Sequence, residues 1–77
     1  GSSMVVAYDG SAASERVLRA AAELSTLMEL DEVHLLTIAS DRSQAVEIQR
    51  SAIRYLQSYE LHVEARIFSA GKEGEII

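Results

Sequence analysis

Cysteine is missing from all 77 residues, which excludes a disulfide framework, a thiolate metal site and a thiol nucleophile. No stretch approaches the roughly 18 uninterrupted apolar residues that a membrane span needs. No basic segment leads into an apolar one as in a secretory leader. A soluble chain is therefore expected, with the cytoplasm as default compartment. Positive charge is scarce and scattered. Seven Lys and Arg face 12 Asp and Glu, a net charge of -5, and Arg16, Arg19, Arg42, Arg50, Arg54, Arg66 and Lys72 form no cluster. Nucleic-acid binding needs a positive patch to neutralise phosphates, so a polynucleotide partner is not expected. Two phosphate-cradling loops are absent as well. The turn Asp9-Gly10-Ser11-Ala12-Ala13-Ser14 is not G-x-G-x-x-G, and G-x-x-x-x-G-K-[ST] occurs nowhere.

What is present begins with Met4-Val5-Val6-Ala7-Tyr8-Asp9-Gly10-Ser11. An apolar run stops in Asp-Gly-Ser and gives way to helical periodicity, which predicts a buried strand, a tight turn and a helix start. In open parallel sheets, the crevice outside the carboxyl ends of the strands receives small molecules. The same corner supplies the free N–H groups of a helix start. Ser11 is the expected N-cap, since its hydroxyl can accept from an amide two or three residues on. The helix is expected to run to about Met28, with Val17, Leu18, Ala21, Leu24, Ser25 and Met28 on one stripe. The run Ala20-Ala21-Ala22 suits close approach to a sheet.

Val33-His34-Leu35-Leu36-Thr37-Ile38-Ala39 is almost continuously apolar, as in a strand covered on both faces. Asp41 and Gln44 have capping-box spacing at the next helix start. Ala45, Ile48, Ala52, Leu56 and Tyr59 then recur with helical period, while Glu47, Arg50 and Arg54 form a solvated face. Leu61, Val63, Ala65 and Ile67 alternate with His62, Glu64, Arg66 and Phe68, the signature of a half-buried strand near an edge. Ser69-Ala70-Gly71-Lys72 reads as a turn, and residues 73–77 as the opening of a third helix.

The fold expected is α/β, an open parallel sheet of Rossmann-like βαβαβ form with right-handed crossovers and strand order 3-2-1. Gly1-Ser2-Ser3 reads as a tag remnant or linker. Residues 4–77 read as the N-terminal part of a larger domain, because a bare apolar first strand at a sheet edge is avoided in soluble proteins. At 77 residues the chain is also shorter than the usual domain of about 100 to 150.

Val5-Val6-Ala7-Tyr8-Asp9-Gly10-Ser11 leading into Ser14-Glu15 and an Ala-rich helix resembles the first half of a universal stress protein domain. Val33–Ile38 and Val63–Ile67 resemble its second and third strands, so the likeness covers residues 4–77. It implies a three-layer sheet of the adenine nucleotide alpha hydrolase type in order 3-2-1-4-5, a homodimer, a stress-response role and, in one branch, bound ATP. The resemblance places Ala7, Asp9 and Ile38 beside adenine and ribose. The branch's phosphate signature, a G-x-x-G segment with a G-[ST] pair further on, follows a fourth strand. Gly71-Lys72-Glu73-Gly74 follows the third, so it is not that signature.

Six residues are thus candidates for adenine nucleotide binding: Ala7, Tyr8, Asp9, Gly10, Ser11 and Ile38. Asp9 suits a ribose hydroxyl, or equally an Asx-turn ahead of Ser11. Gly10 is expected to supply a positive φ or a close approach. His34 and His62 lie within strands without a companion at metal-ligand spacing, and Tyr55, Tyr59 and Phe68 read as packing residues. No nucleophile, general base or metal cluster stands out, so binding rather than catalysis is expected. The alternative is a dimerising or regulatory interaction domain of the same family that binds no nucleotide.

Overall fold

The computed structural model describes residues 2–69. The expected turn and helix opening at residues 70–77, with Lys72, lie outside that range. Strand β1 (Ser3–Ala7), helix α1 (Ala12–Leu27), strand β2 (Glu32–Ala39), helix α2 (Arg42–Gln57) and strand β3 (His62–Ser69) follow one another in two βαβ units. The strands pair in parallel in the order β1-β2-β3, so the expected order 3-2-1 is observed. Val6 stands beside Leu35, and Leu35 beside Ala65. Ser3, read from the sequence as part of a tag remnant or linker, is already in the ladder opposite Glu32.

Each helix begins where its sequence signals it. The Ser11 hydroxyl accepts from the Ser14 amide at 3.1 Å, and the Asp41 carboxylate from the Gln44 amide at 3.2 Å. The turn after each contains a left-handed residue, Glu29 at φ 58° and Glu60 at φ 62°. At the end of α1, Leu30 N–H donates to Ser25 O and Glu29 N–H to Thr26 O, a Schellman closure built on glutamate instead of glycine.

Both helices lie on one face of the sheet. Leu18, Ala21 and Ala22 from α1 and Ala52 and Leu56 from α2 close over Val6, Val33 and Leu35 in one buried cluster. Both connections step in the same direction across the sheet, and right-handed crossovers made in one direction put their helices on the same side. The expectation that β2 is covered on both faces is therefore met on one only. Val33, Leu35 and Thr37 are buried, whereas Ile38, on the opposite face, is 68% exposed. Val5 at 64% and Phe68 at 51% share that open face. The α1 stripe divides as well: Leu18, Ala21 and Ser25 face the sheet, while Val17, Leu24 and Met28 remain exposed. Among the described residues, no helix is long and apolar enough to cross a membrane.

Candidate functional site

The carboxyl ends of the strands open into a cleft of about 560 Å³, within the range of small-molecule sites. Ala7 and Leu36 stand opposite each other in the β1–β2 register, and Ile38 opposite Phe68 in the β2–β3 register. These four side chains form its apolar wall. Asp9, Ser11 and Ser14 supply the polar rim, and Ala13 and Val17 close the side along α1. Five of the six candidates therefore meet here: Ala7, Tyr8, Asp9, Ser11 and Ile38. Tyr8 lines the cleft, but its ring belongs to the core cluster and its hydroxyl donates to the Glu15 carboxylate. Burial, reinforced by that carboxylate, raises the Tyr8 pKa above its ordinary value.

Gly10 sits behind the rim. Its φ is +85°, and a Cβ placed there would meet Ile48 Cγ2 at 3.3 Å, so both expected reasons for glycine apply at once. It shapes the turn rather than lining the cleft.

Asp9 is held in a compact set of local bonds. Its Oδ1 accepts from Ser11 N–H at 2.9 Å, closing the Asx-turn, and from the Ser14 hydroxyl at 2.9 Å. The interactions of Ser11, through its side chain and its amide, and of the Ser14 hydroxyl lower the Asp9 pKa to about 2. The residue is an exposed carboxylate at all ordinary pH values. Its position also decides what the cleft can take. An anion already sits at the amino end of α1, where the helix dipole favours negative charge, so a second anion there meets repulsion and hydroxyl donors are favoured.

Ala13, Ser14, Val17, Leu36 and Phe68 complete the site without having been singled out as site residues. Ser14 was legible as a polar residue three positions after the cap. Leu36 and Phe68 were not, because their membership depends on which sheet face the helices leave open. The histidines do have acidic neighbours. His34 Nε2 lies 2.9 Å from Glu32 Oε2, and His62 Nε2 lies 2.7 Å from Glu64 Oε2. Glu64 raises the His62 pKa and is itself lowered by it. These are pairs on the amino-terminal half of the open face, away from the cleft. Among the described residues, no group of three His, Asp or Glu is arranged to hold a metal.

The site thus belongs to an α/β protein with a parallel βαβαβ sheet and a crevice at the carboxyl ends of its strands. No family model matches the sequence, and no curated protein matches it.

Proposed function

We propose that this chain forms one wall of an adenine nucleotide site in a universal stress protein-like domain, a cytoplasmic stress-response module acting through a homodimer or another partner. The observation that carries the reading is the cleft itself, in which an apolar wall of Ala7, Leu36, Ile38 and Phe68 adjoins the fixed carboxylate of Asp9. A purine is a flat apolar surface, and a ribose presents paired hydroxyls. Asp9 Oδ2 is the oxygen to which those hydroxyls donate, since the protein's own donors use Oδ1. The triphosphate falls to residues beyond the α1 corner, consistent with the charge already at that helix start.

Mass spectrometry of nucleotide released from the full-length purified protein tests this. ATP or ADP in the released fraction is the expected result, and protein that carries none and takes up none on incubation overturns it. The 77 residues alone are expected to bind ATP weakly or not at all, because they supply only one wall.

A second reading, an interaction domain that binds no nucleotide, draws on the exposed apolar residues Val5, Ile38 and Phe68 on the uncovered sheet face. Full-length protein that is dimeric and free of nucleotide is the outcome that favours it.

A further inference from the structure

The cleft depends on where β1 ends relative to β2 and β3, and one buried amide touches all three strands directly or through one hydroxyl. The last bond of the β1–β2 ladder is Tyr8 N–H to Leu36 O at 2.9 Å. The Tyr8 carbonyl is then taken by a side chain: the Thr37 hydroxyl donates to it at 2.7 Å. Gln49 on α2 donates through Nε2 to Thr37 Oγ1 at 2.9 Å and to Arg66 O at 3.0 Å. A hydroxyl has one proton. Because Gln49 donates into the Thr37 oxygen, that proton is committed to the Tyr8 carbonyl. Thr37 is 1% and Gln49 4% exposed, so water does not replace these bonds.

We propose that Gln49 is a positioning residue which, through Thr37 and the Arg66 carbonyl, sets the ends of β1, β2 and β3 against one another and thereby the width of the cleft. Asp9 directly follows Tyr8, the residue held just past the end of β1, Ile38 directly follows Thr37, and Phe68 lies two residues after Arg66. Each tie thus falls one or two residues short of a wall or rim residue. The functional consequence rests on the cleft being a ligand site. The geometric proposal is tested without any ligand.

The test is amide hydrogen exchange by NMR on the full-length protein in the variants T37V, T37S, Q49L and T37V/Q49L. L56A serves as a core variant that lowers stability without touching these bonds. T37V is expected to speed exchange at the Tyr8 amide about tenfold beyond any change in global opening, the factor that one lost buried hydrogen bond represents. T37S keeps the hydroxyl and is expected to stay within about twofold of the parent. Q49L is expected to act like T37V, and the double variant to add little to either, since the two residues form one chain. Ala7 and Ile38 methyl resonances shift in T37V and Q49L but not in L56A. Tyr8 exchange that merely follows global stability, as in L56A, overturns the proposal. So does strict additivity of T37V and Q49L.

Discussion

At the residue scale, Asp9 makes the sharpest demand on solution behaviour. Its pKa falls from the ordinary 3.8 to about 2 in the folded protein. A carboxylate depressed in this way contributes stability that is fully present above its unfolded value and lost as pH falls through its folded one. The contribution therefore disappears between about pH 4 and 2. Carbon-detected titration of the Asp9 carboxyl should show a midpoint near 2, and D9N should flatten the acid limb of the unfolding curve within that window. Gly10 next door is constrained twice, by its left-handed φ and by Ile48. G10A is expected to cost about 1 to 2 kcal/mol in urea denaturation. Both residues were legible in the sequence, because Asp-Gly-Ser at the end of an apolar run has few other uses. Gln49 was not, although a signal existed. It lies four residues after the buried Ala45 and three before the buried Ala52, on the inward stripe itself. A polar residue on such a stripe asks for buried partners, and Thr37 was the polar residue on the inward face of the neighbouring strand.

At the element scale, helix starts were read well and helix faces less well. Ser11 and Asp41 cap as their chemistry dictates. The face of α1 divides because a helix laid on a sheet buries a narrower stripe than apolar periodicity marks out. Val17 and Leu24 have the right spacing but lie to one side. The helix ends carry a reserve of stability. Glu29 occupies a left-handed position that glycine adopts without strain, and E29G is expected to raise stability by about 0.5 to 1 kcal/mol, the relief of strain exceeding the added flexibility of the unfolded chain. Thermal unfolding measures it, and a lowered midpoint would show that the glutamate side chain contributes more than its backbone costs.

At the scale of the whole molecule, the sheet has one covered side and one open side. Strand order and parallel pairing followed from the pattern of apolar runs, but coverage did not, since an apolar run in β2 looks the same whether one or two layers meet it. Substitutions should report that difference directly. Leu35, fully buried under both helices, should cost about 2 to 5 kcal/mol as L35A. Ile38 lies three positions on in the same strand and faces away, so I38T should stay within about 0.5 kcal/mol. Equal losses at the two sites would mean that the open face is covered in solution.

That one-sidedness also governs how the molecule responds to temperature. The heat capacity gained on unfolding scales with the apolar surface newly brought into water, at about 12 to 15 cal/mol/K per residue for ordinary domains. Here Val5, Ile38 and Phe68 are largely wetted before unfolding begins. Calorimetry should therefore return a value per residue below that range and a shallow, broad stability curve. Stability then changes little with temperature, and any layer that settles on the bare strands will raise the melting point and steepen the curve together.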